Sequence, residues 1–137
     1  MPSSDILSAP EEQVVSICSD DECYSRGVWF QAKSISMIEL SQLGEIIGAD
    51  SYDDLSSGFN LVGEPLEEGP WPQTPPPSLS EKIENLSNEE IEAAAQSWSQ
   101  IEEFGGHVTP SDLADYIKRL KEFFANTSGP YFLVNSL

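Results

Sequence analysis

At 137 residues the chain has the length of one domain, and its 24 Asp and Glu against 6 Lys and Arg give a formal net charge of −18. Phosphate binding needs clustered cations, so this balance argues against nucleic acid, and the same field disfavours an anionic membrane surface. No run of about 18 apolar residues is present to span a bilayer.

A hydrophobic content of 39% with 9% aromatics is enough for one core and too rich for a wholly disordered acidic tail. The start, Met1, Pro2, Ser3, Ser4, Asp5, has neither the basic residues nor the apolar stretch of a secretion signal, so a cytoplasmic protein with reduced Cys18 and Cys23 is expected.

Residues 1–27 read as an acidic, mobile N-terminal segment. Within it, Pro10 followed by Glu11 and Glu12 is a helix-start pattern, and Val14, Val15 and Ile17 fit a short helix or a short strand equally. Val28, Trp29 and Phe30 predict a strand. Ser36 and Glu39 fit a capping box, and Met37, Leu40, Leu43, Ile46 and Ile47 follow at helical spacing until Gly48. One more turn of helix is expected between Asp50 and Ser57, then a strand over Phe59 to Val62. Residues 63–78 are rich in proline and read as a long loop dividing the chain into halves.

The second half reads as helical. Ser78 to Glu81 and Ser87 to Glu90 each have capping-box spacing. Ile91, Ala94, Ala95, Trp98 and Ile101 form one helix stripe, ended by Gly105 and Gly106. Thr109 and Pro110 open a last helix with Leu113, Tyr116, Ile117, Leu120 and Phe124 on its buried side. Tyr131 to Val134 predicts a closing, mostly buried strand. The order implies a single α+β domain over 1–137, a small sheet with three to five helices against it.

No catalytic or metal motif stands out, and no cofactor is expected. Cys18 and Cys23 enclose Asp20, Asp21 and Glu22, but a zinc site needs further ligands and His107 is the single histidine, so two structural thiols in a loop are expected. Asp50, Asp53 and Asp54 lack the ligand spacing and glycine of a calcium loop. Glu102 and Glu103 close the long helix beside Trp98 and Phe104, with His107 downstream. Such a set does acid–base work only inside a pocket, and a solvated helix end is the simpler expectation. Trp71, between two prolines, is either an interface anchor or a pin holding its loop to the core.

The charge itself carries the functional expectation. Fourteen acidic residues against Arg26 and Lys33 leave residues 1–68 at −12, and ten against four leave the remainder at −6. The first half is therefore the side expected to meet a basic protein. Asp20, Asp21, Glu22, Asp50, Asp53, Asp54, Glu67, Glu68, Glu102 and Glu103 are the candidate contact carboxylates, with Trp71 as anchor.

Gly69, Pro70 and Trp71, then Trp98 through Phe104, then Leu120 to Phe124 leading to Tyr131 through Val134, resemble small bacterial proteins similar in layout to the YfbM-like α+β family. The likeness spans about residues 69–137, rests on spacing, and does not extend to the first half. It implies an α+β fold and transfers no activity. In character the chain also resembles immunity proteins, which cover the basic active site of a toxin. The expectation is thus a non-enzymatic inhibitor of a basic toxin or nucleic-acid-binding protein, with a small Glu102/Glu103/His107 enzyme, a metal or redox sensor built on Cys18 and Cys23, or a structural protein as the alternatives.

Overall fold

The most apolar strand of the chain lies in the middle of the sheet. A computed structural model describes residues 3–18, 22, 26–33, 35–63, 71–127 and 130–136. Its elements in order are β1 (Ser3–Ser8), α1 (Glu11–Cys18), β2 (Val28–Lys33), α2 (Met37–Ile46), α3 (Tyr52–Ser57), β3 (Asn60–Leu61), β4 (Trp71–Thr74), α4 (Pro77–Glu84), α5 (Asn88–Trp98), a 3₁₀ turn (Glu102–Phe104), α6 (Pro110–Asn126) and β5 (Tyr131–Ser136). The five described strands form one antiparallel sheet in the order β2-β1-β5-β4-β3.

Side chains alternate across a pleated strand, and here both faces are covered. Ile6 of β1 and Leu133 of β5 enter the larger core, with Leu40, Leu43, Ile83, Ile91, Trp98, Ile117 and Leu120. Leu7, Phe132 and Val134 point the other way, against Val14, Ile17 and Cys18 of α1. The result is three layers: α1, the sheet, and the remaining helices. Burial on both faces explains why Tyr131 to Val134 is apolar without a break.

Trp98 ties the helical layer together. Its indole N–H donates to the Glu39 carbonyl of α2 at 3.0 Å, and its ring meets Phe104 edge-on at 5.4 Å and Tyr116 at 5.9 Å. Gly44 lets α2 approach α3 and α4: a Cβ there would stand 2.5 Å from Leu55 Cδ1 and 3.1 Å from Leu79 Cδ1. Gly48, at φ +80°, takes the left-handed position after the helix that the sequence assigned to it.

The α+β class stands, with six described α-helices where three to five were expected. Several boundaries differ for physical reasons. Ser3–Ser8 is no mobile tail but a strand paired on both sides; its serines and aspartate have poor strand propensity, which its two neighbours override. The proline-rich divider contains β4, where Pro72 pairs with Val134 and its carbonyl accepts from Val62 N–H at 3.0 Å. The β3 strand covers two residues where four were expected. Helix α4 starts at Pro77 with no side-chain cap, so the box expected at Ser78 is not formed. Ile101 lies past the end of α5, and Cys18 is the last, buried residue of α1 where a loop was expected.

Candidate functional site

Helix α2 turns Leu40 and Leu43 inward. Residues four and three further along a helix share a face, so Ile38, Gln42 and Glu45 line up on another side. Ile38 is 41% exposed, an apolar side chain left in solvent. The Gln42 amide donates to both carboxylate oxygens of Glu103, at 3.1 and 3.0 Å. Glu45 accepts from the backbone N–H of Tyr52 at 2.8 Å, the first residue of α3. Asp50 accepts from Ser51 N–H at 2.9 Å, and Ser51 Oγ caps α3 by accepting from Asp54 N–H at 3.2 Å. Asp53 and Asp54 occupy the first turn of that helix, where exposed backbone N–H groups favour anions.

These bonds join two distant parts of the chain. Glu103, from the 3₁₀ turn after α5, and Asp50, Asp53 and Asp54, from the α2–α3 corner, become one ridge through Gln42 and Glu45. Glu102 sits beside Glu103, and both are exposed. They belong to the separate 3₁₀ turn and do not end α5, so the clash with that helix's dipole read from the sequence does not arise.

Four of the cations described are engaged elsewhere. Lys118 pairs with Glu92 at 3.4 Å, Arg119 with Asp115 at 3.2 Å, and Lys121 donates to the Leu86 carbonyl. Arg26 donates to Ser16 within α1, and Lys82 is on α4. Among the described residues no Lys or Arg pairs with Glu45, Asp50, Asp53, Asp54, Glu102 or Glu103.

Not every candidate joins the ridge. Asp20, Asp21, Glu67, Glu68 and Cys23 lie outside the described residues. Glu22 is exposed in a turn before β2. Trp71 is half-buried in β4, opposite Asn135 of β5, which fits a role in holding the sheet. Ile38, Gln42 and Glu45 were not singled out from the sequence. Their i, i+4, i+7 spacing was visible as the side of α2 away from Leu40 and Leu43, but nothing local says that Glu103 comes to meet it.

The acid–base set lies on the surface. His107, Glu102 and Glu103 are exposed, and Glu103 is occupied by Gln42. A small cavity of about 20 Å³ is lined by core residues such as Leu40, Phe59, Ile83 and Leu133. It is a packing gap of about one water molecule, without the polar partners a water needs. No cluster of three metal-ligating side chains occurs among the described residues, and none of the helices described is long and apolar enough to cross a membrane. The chain matches no family model, and comparison with curated proteins and with solved structures finds no match.

Proposed function

We propose that this protein is a non-catalytic binding protein whose α2–α3 ridge docks on a cationic surface of another protein. The observation that carries the reading is the joined set Glu103, Glu45, Asp50, Asp53 and Asp54, which has no Lys or Arg ion pair among the described residues. Unpaired surface carboxylates hold their field in solution and raise the capture rate of a cationic partner, an effect that salt weakens. Ile38, exposed on the same helix side, supplies an apolar contact where charge alone gives little affinity. A basic cleft built for nucleic acid is the natural counterpart, and covering such a cleft is how an immunity protein neutralises a nuclease toxin.

The test is an association-rate measurement on a cationic partner captured from lysate at low salt. Neutralising Asp50, Asp53, Asp54 and Glu103 to their amides is expected to slow association about tenfold or more. Neutralising Glu81, Glu84, Glu89 and Asp112 changes net charge equally and is expected to do much less. Equal effects of the two variants, or a rate indifferent to salt, would refute the ridge as the docking surface.

A further inference from the structure

The sheet has two outer strands, and they differ. Strand β3 is two residues long, too short to template anything. Strand β2 is six residues long, and its strand neighbour among the described residues is β1 alone. Its pairing is regular from Val28 to Gln31; the register then shifts, leaving Ala32 as an extra residue before Lys33. A bulge and a terminal lysine are devices that blunt an edge, and here they stand at one end of β2. The stretch Val28 to Gln31 carries no charge.

A groove of about 600 Å³ runs beside this stretch, walled by Val28, Trp29 and Phe30 on one side and by Glu122, Phe123 and Asn126 of α6 on the other. It continues past Val28 and Asn126 into a second groove of about 660 Å³, bordered by Glu11 and Glu12 at the start of α1. Val28 is 52% exposed, and Phe30 and Phe123 meet with tilted rings, centroids 5.7 Å apart, to give the groove an apolar lining. Arg119 also borders the groove, but its Nε is committed to Asp115 and its guanidinium lies over the Tyr116 ring, 5.8 Å from the centroid. The carboxylates left to meet an occupant are Glu11, Glu12 and Glu122, all exposed.

We propose that this edge takes up an extended, basic segment of a partner polypeptide, which adds to the sheet as a sixth strand alongside Val28 to Gln31. Main-chain hydrogen bonds to the strand edge would supply register, and alternate side chains would fall toward α6 or away from it. Cationic side chains meet Glu122 near α6 and Glu11 and Glu12 at the far end. A second copy of this chain is disfavoured as occupant because it would bring a net charge of −18 against another −18. The inference shares a cationic partner with the function proposed above and rests on that reading to that extent, but its surface is separate from the α2–α3 ridge.

The probe is a synthetic peptide of alternating Lys and Val, about eight residues long, titrated into the intact protein and followed by amide chemical shifts and hydrogen exchange. The expected result is shifted and slowed amides at Val28 to Gln31 with shifts along Glu122 to Asn126. A peptide of equal charge with two central prolines, which cannot add as a strand, is expected to bind at least tenfold more weakly. Changing Glu11, Glu12 and Glu122 to Gln is expected to lower the affinity of the first peptide roughly tenfold, while amides at Asp50, Asp53, Asp54 and Glu103 leave it within about threefold. Equal binding of the two peptides would mean capture by charge alone and would overturn the proposal. So would absence of binding, or shifts confined to α2 and α3, which would leave the ridge standing without the groove. Protection of the β2 amides in concentrated protein without peptide, together with dimer mass in sedimentation, would make a second copy the occupant and also overturn it.

Discussion

Tyr116 is the residue whose surroundings fit it least. Its ring packs edge-on against Phe30 at 5.4 Å and beside Trp98, yet its buried hydroxyl has no hydrogen-bond partner. Burial drives the phenol far above its ordinary ionisation range, with Arg119 opposing and Asp5 and Glu39 reinforcing. An acid whose folded-state pKa is raised lends stability that is complete below the unfolded value, about 10, and is lost as pH climbs beyond it. Removing an orphaned hydroxyl removes a desolvation cost, so Tyr116→Phe is expected to stabilise the protein by about 1 kcal/mol at neutral pH. It should also flatten the alkaline limb of a stability profile measured by denaturant titration. The helix stripe announced that Tyr116 would be buried; it could not announce that no acceptor would be waiting there.

Capping shows what local sequence can and cannot specify for an element. Ser87 and Glu90 form the reciprocal box at the start of α5, with Glu90 accepting from Ser87 N–H at 2.9 Å and Ser87 Oγ from Glu90 N–H at 3.2 Å. Ser78 and Glu81 have the same spacing and form none. Pro77, with its φ already fixed for a helix, takes the first helical position and pulls Ser78 inside, away from the extended geometry a cap requires. Ser87→Ala is expected to cost about 1 kcal/mol in thermal or chemical unfolding. The Glu90 carboxyl is held below its ordinary 4.5 chiefly by the Ser87 backbone N–H and next by the Ser87 hydroxyl. A lowered carboxyl lends stability above its unfolded value and loses it as pH falls through the folded one. The Glu90 side-chain midpoint in an NMR titration should therefore rise part-way toward normal in Ser87→Ala, because the backbone donor remains. Helices with a clean stripe were readable from sequence in this way; β1 and β4, with their serines, aspartate and Pro72, were not, because pairing on both sides decided them.

For the whole molecule, the decisive facts are sheet order and charge. Strand β1 stands between β2 and β5, so deleting residues 1–8 strips β2 of its described strand neighbour and exposes one side of the central strand. The expected product shows no cooperative melting transition in calorimetry, where a dispensable tail would leave the melt unchanged. A charge of −18 also repels itself across the surface, and the ion pairs Lys118–Glu92 and Arg119–Asp115 among the described residues are exposed, so salt has more repulsion to screen than attraction. Melting temperature is expected to rise by a few degrees between low and physiological ionic strength, equally in sodium and potassium chloride. Composition foretold the sign of this field and the acidic first half. Its gathering into a ridge depended on Glu103 reaching Gln42 across the fold, and the groove beside β2 depended on where α6 came to rest. Neither has a signature in residue spacing.

The pairing of Ser3 with Ser136 has a further bearing on how the protein comes into being. Strand β1 finds its inner neighbour β5 only after all the chain between them has been synthesised, so the middle of the sheet closes later than the local contacts of the helices. Until then Leu7 and Ile6 lack their partners Phe132 and Leu133, and the nascent chain must keep two apolar surfaces from straying. A heavy surplus of like charge suits that interval, because it holds unfinished copies on neighbouring ribosomes apart.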